Sequence, residues 1–136
     1  DNGKGAEFLP RECHWAPMTA RRYLDLHDIN GADDYFSSDL EADELARRFK
    51  AFGRRGVGGF VAYSGADEYA PPSVDKVKLV KKICAACATE NSARVAGLVV
   101  PGAPHNCGGA EEVFVAACVA FLTDGVIVGS CFDTCK

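Results

Sequence analysis

Two apolar runs stand out along the chain, Val57–Tyr63 and Ala93–Val100, and each is closed by turn residues. Ser64-Gly65 breaks the first, and Pro101-Gly102-Ala103-Pro104 breaks the second. Short apolar runs bounded by such residues read as buried strands. After the first, Val74, Val77, Val80, Ile83, Cys84 and Cys87 recur at helical spacing, which predicts a helix over Ser73–Ala88. Ser73 is the expected cap, and Asp75 suits the helix's positive end. After the second run, Phe114, Ala117, Cys118, Phe121 and Leu122 predict a helix over Ala110–Leu122. Much of its other face is apolar too, so burial all round is expected. Strand–helix units repeated in this way give an α/β chain with neighbouring parallel strands.

Upstream, the pattern is helical. A helix over Met18–Asp28 follows Pro17, with Tyr23, Leu24 and Leu26 as its apolar contacts, His27 in its last turn and Asn30-Gly31 as the turn after it. Ser38-Asp39-Leu40-Glu41 matches a capping box, which starts a second helix at Asp39. Leu40, Leu45, Phe49 and Phe52 supply its apolar face, and Gly53 ends it. The expected organisation is an N-terminal arm over 1–17, a helical cap-like segment over 18–56, a β-α-β-α part over 57–122 and a C-terminal extension over 123–136.

Composition narrows the class. At 136 residues the chain holds one domain at most, and 48% hydrophobic with 25% charged residues describes a globular protein. The net charge of −4 argues against a nucleic-acid surface, which needs basic residues to release counterions. No apolar run reaches the ~18 residues of a membrane span. Seven cysteines are scattered along the chain: Cys13, Cys84, Cys87, Cys107, Cys118, Cys131 and Cys135. An odd, scattered set reads as reduced thiols and an intracellular protein rather than a disulfide framework. Cys84-x-x-Cys87 is half a zinc site at best, since no second close pair has finger spacing. The acids Asp33, Asp34 and Asp39 are explained by capping and solvation. No metal or cofactor is expected.

The chemistry lies just past the strands. Functional groups of open α/β sheets sit beyond the carboxyl ends of the strands. Asp67 follows the first strand there, and His105 follows the second. An acid followed by a histidine is the order of the last two members of a hydrolase triad. Both loops leave the same sheet edge, so Asp67 and His105 are expected within hydrogen-bond distance. His14 and His27 are not placed by any strand end and read as packing or surface residues.

The stretches Tyr63-Ser64-Gly65-Ala66-Asp67-Glu68-Tyr69, Pro72-Ser73-Val74-Asp75-Lys76 and Pro104-His105-Asn106 resemble an α/β-hydrolase group. That group, originally of unknown function, includes the fungal siderophore esterases acting on fusarinine-type esters. Thr19-Ala20-Arg21-Arg22-Tyr23-Leu24 and Asp33-Asp34-Tyr35-Phe36-Ser37-Ser38-Asp39-Leu40 resemble it as well. The similarity runs from about Leu9 to Leu122 and covers only the family's C-terminal half. It implies that Asp67 and His105 are the acid and base of a Ser-His-Asp triad, and that the segment before the first strand helps cover the active site. Residues 123–136 depart from the family, as a short added strand or a docking segment.

The nucleophile is missing. None of Ser37, Ser38, Ser64, Ser73, Ser92 and Ser130 lies in Gly-x-Ser-x-Gly, and Cys107 shares the histidine's loop instead of standing on an elbow. By the resemblance, the serine and the oxyanion strand belong to an N-terminal half. Two or three parallel strands also leave a sheet open at its edges, which invites pairing. A protein partner that completes the sheet is therefore expected. Three readings follow: a piece of a split or processed esterase-like hydrolase, an inactive hydrolase-derived subunit of a larger complex, or a free-standing α/β binding domain. The open edge counts against the third.

Overall fold

The computed structural model describes residues 3–12, 16–28, 31–53, 58–88 and 94–123, with backbone alone at 51–53. The elements run α1 (Ala20–His27), α2 (Ala42–Gly53), β1 (Gly59–Ser64), α3 (Lys76–Cys87), β2 (Val95–Val100) and α4 (Glu111–Thr123). The chain divides into two compact units, residues 1–40 and 41–136.

In the second unit, β1 and β2 pair in parallel, with Gly59 opposite Val95 and Ser64 opposite Val100. The α/β reading with neighbouring parallel strands therefore holds. Alternate strand residues point to opposite faces, and both faces carry apolar side chains, as a parallel sheet covered on both sides requires. On one face Leu79, Val80, Ile83, Cys84 and Cys87 of α3 pack with Val95, Val61, Tyr63 and Val99, joined by Phe49 of α2. On the other, Ala117 and Phe121 of α4 pack with Leu98, Val100, Ala103 and Phe60. Phe60 and Phe121 stack at 5.5 Å between ring centres. Leu45, Val80, Ile83 and Val100 are wholly buried, each a side chain whose removal from water contributes about 1.5–3 kcal/mol.

Several expected boundaries shift. The strands begin at Gly59 and Val95; Val57 and Ala93 lie outside the described residues. The cap of α3 is Asp75, whose carboxylate accepts the Lys78 N–H at 3.0 Å, and not Ser73. Ser73 is left in a turn closed by the Val74 N–H on the Pro71 carbonyl. Helix α2 begins at Ala42 rather than Asp39. The Asp34 carboxylate takes the N–H groups of Phe36 and Ser37, and Leu40 N–H bonds the Ser37 carbonyl, so a turn occupies the residues of the supposed capping box. The first helical bond runs from Leu45 to Glu41.

Two packing expectations fail. Leu24 and Leu26 of α1 are exposed, and that helix buries no residue. It is held instead by its Thr19 cap, by an Arg22–Asp33 ion pair and by His27, whose ring stacks on Tyr23. In α4 only Ala117 and Phe121 are buried, while Val113, Val115, Val119 and Leu122 are exposed, Leu122 by 78%. One layer covers this helix where its sequence asks for two. The expectations for Cys13, His14 and the 124–136 tail lie outside the described residues. Cys107 and Cys118 are free thiols; Cys84 and Cys87 line the sheet-facing stripe of α3, and burial pushes the Cys87 thiol up to about 11.

Candidate active site

The turns after the two strands are stitched together by main-chain bonds. Gly65 N–H donates to the Val100 carbonyl at 2.8 Å, and Ala66 N–H donates to the Ala103 carbonyl at 2.8 Å. Only glycine fits position 65: a Cβ there would stand 2.6 Å from the Val100 carbonyl oxygen. The stitching brings residue 67 beside residue 105. A second tie comes from α3, whose first residue, Lys76, donates to the Gly65 carbonyl at 2.8 Å and reaches the Asp67 carbonyl at 3.5 Å. Beneath the turns, the buried Ser64 hydroxyl lies 3.4 Å from the His105 carbonyl and 3.4 Å from the Cys107 sulfur.

His105 Nδ1 and Asp67 Oδ2 are 3.0 Å apart. The Asp67 side chain is only 10% exposed, whereas the imidazole is 59% exposed. The second carboxylate oxygen, Oδ1, accepts the Tyr69 N–H at 3.0 Å. Burial alone would raise the Asp67 pKa; the bonds from His105 and Tyr69, with the charges of His105 and Lys76, outweigh it and hold the carboxyl below its usual value. An ionised carboxylate accepts and never donates, so Nδ1 carries the hydrogen of this bond. In the neutral ring Nε2 is then the bare nitrogen. Among the described residues nothing hydrogen-bonds Nε2. The Tyr69 ring meets the imidazole edge-on, 5.0 Å between centres at 86°.

The histidine loop is itself built from turns. Cys107 N–H bonds the Pro104 carbonyl, Ala110 N–H bonds the Cys107 carbonyl, and Asn106 Oδ1 accepts the Gly108 N–H. Cys107 adopts a left-handed backbone, φ 58°, a conformation that costs a side-chain-bearing residue about 1–2 kcal/mol. Its sulfur pairs with Ser64 and makes no hydrogen bond to the imidazole among the described residues.

Comparison with known proteins gives the family of the chain. The family model described as "Protein of unknown function (DUF1749)" matches residues 1–123. The chain belongs to that family. A UPF0613 protein of Schizosaccharomyces pombe is 36% identical over 120 residues, covering 79% of this chain and 37% of that protein. A protein named as an esterase in Emericella nidulans is 37% identical over 109 residues, covering 71% of this chain and 29% of its own length. The chain thus spans about a third of the length of the curated relatives it matches. No solved structure matches it.

In this DUF1749 chain the strand-end signal located Asp67 and His105, and the structure brings them together. Lys76, Glu68 and Tyr69 lie in the stretches that carry the resemblance, but nothing in the sequence assigns them a role at the site. Lys76 is one of four lysines in the α3 sequence, with Lys78, Lys81 and Lys82, and its reach back to the turn distinguishes it from the exposed Lys78 and Lys81. Adjacency to Asp67 was the one available signal for Glu68 and Tyr69. No helix among the described residues is long and apolar enough to cross a membrane.

Proposed function

We propose that this chain is the C-terminal part of an α/β-hydrolase fold and supplies the acid and base of a Ser-His-Asp carboxylic ester hydrolase. The serine and the oxyanion hole come from polypeptide outside these residues. The observation that carries the reading is the Asp67–His105 bond, which spends Nδ1 on the acid and leaves Nε2 open. In such a site Nε2 takes the serine proton as Oγ attacks the ester carbonyl. Asp67 fixes the tautomer and stabilises the imidazolium without taking the proton itself. His105 then returns the proton to the leaving alcohol, and the cycle repeats with water to release the acid. The esterase name of the Emericella relative favours a carboxylic ester as substrate.

The partner is a protein surface that supplies further sheet and covers α4. Each strand has one neighbour among the described residues. On α4, Val115, Val119 and Leu122 form an apolar stripe opposite the buried Ala117 and Phe121. Relatives more than twice as long have the chain length to provide that cover.

The test is an activated-ester assay with and without the polypeptide matching the remainder of the relatives. The chain alone is expected to be inactive, and the reconstituted pair active until His105→Ala or Asp67→Ala removes the activity. Activity of the chain alone that His105→Ala abolishes would contradict the reading and point to Cys107. The second reading is an inactive hydrolase-derived subunit of a larger complex, favoured by the uncovered α4 face and the missing elbow. It predicts that the pair is inactive and that native material contains many stoichiometric chains without Gly-x-Ser-x-Gly.

A further inference from the structure

The consecutive residues Asp67, Glu68 and Tyr69 all engage one histidine, at three different points. Asp67 takes the ring nitrogen at 3.0 Å, Tyr69 meets the ring edge-on, and Glu68 Oε2 accepts the main-chain N–H of His105 at 2.9 Å. That N–H leaves the Pro104–His105 turn without a main-chain acceptor among the described residues, so a carboxylate from the opposite loop takes the place of one. We infer that Glu68 is a positioning residue for the proposed base: its carboxylate fixes the His105 backbone while Asp67 fixes the ring. This deepens the reading of His105 as a base and rests on it.

The physical need is clear from the exposure of the imidazole. A ring held at Nδ1 alone can swing with its Cα, because His105 sits in a turn and not on a strand. A second anchor on the main chain removes that hinge. A hydrogen bond to an ionised acceptor is roughly twice as strong as a neutral one, which suits an anchor at the surface. The charged groups around Glu68 are Asp67 and His105. The His105 N–H and the residue's own N–H hold the Glu68 carboxyl below its usual value; slight burial and the Asp67 charge oppose this, and His105 adds to it. The anchor is therefore intact at neutral pH and is released only in acid.

The experiment is NMR on the isotope-labelled chain, following the His105 amide and imidazole against pH in wild type, Glu68→Gln, Glu68→Ala and Asp67→Asn. In wild type the amide shift should follow an acid titration below the ordinary glutamate range. That titration should vanish in Glu68→Gln and persist in Asp67→Asn. Amide exchange at His105 should speed up by about tenfold in Glu68→Ala, on the scale of one charge-assisted bond, and less in Glu68→Gln. An amide that ignores the acid titration, or exchange unchanged in Glu68→Ala, overturns the proposal. Failure of the base reading shows separately, as an imidazole whose tautomer does not respond to Asp67→Asn.

Discussion

Asp67 is more acidic folded than free, because its ionised form is the one that His105 and the Tyr69 N–H hold. The unfolded chain therefore binds the proton more readily, and stability rises with pH across that window. The contribution is fully present above the free aspartate value of about 3.9 and is lost as pH falls through the lower folded value. Wild type should lose stability below about pH 4 by this route, and Asp67→Asn should remove that part of the slope, as urea titrations from pH 2 to 6 would record. Gly65 gives a second prediction at this scale. A methyl at Gly65 meets the Val100 carbonyl, so Gly65→Ala should cost about 1–3 kcal/mol, the usual cost of overpacking. The His105 Nδ1–Asp67 bond should weaken with it, visible in the imidazole shifts. Residue types and strand-end position made Asp67 and His105 legible. Lys76 was not, because a lysine in a run of lysines carries no sign of where its ammonium goes.

The elements were legible where the apolar period was strong. Both strands and the α3 stripe were found because burial on both faces forces near-continuous apolar runs and a wide helical stripe. Starts were less legible. Asp75 rather than Ser73 caps α3, and an Asp34-centred turn delays α2, since several Ser and Asp residues compete for the same N–H groups. Ile83 sits at the centre of the α3 layer with no exposure. Ile83→Ala should destabilise the chain by about 2–5 kcal/mol in chemical denaturation. The outer face of α4 should behave differently. Val119→Gln with Leu122→Gln should change the stability of the isolated chain by no more than about 0.5 kcal/mol per site. The same pair should weaken association with the polypeptide that completes the sheet, measured by titration calorimetry.

At the scale of the whole molecule, the sheet has two strands among the described residues and one helix with an uncovered apolar face. No serine of the chain lies in Gly-x-Ser-x-Gly. The absence of Gly-x-Ser-x-Gly is legible in the sequence directly. The bare side of α4 is not, because an all-round apolar helix looks the same whether its second cover comes from within the chain or from outside it. Under the proposed function, the Asp67–His105 pair beside a two-stranded sheet is what a completed hydrolase would leave on this portion of its chain. The most direct measurement is labelling of native material with a fluorophosphonate probe, followed by peptide mass spectrometry, in wild type and His105→Ala. The account predicts a single labelled serine in a Gly-x-Ser-x-Gly peptide outside these 136 residues, with labelling lost in the variant. A labelled residue within this chain, labelling that survives His105→Ala, or no labelled serine at all would contradict it.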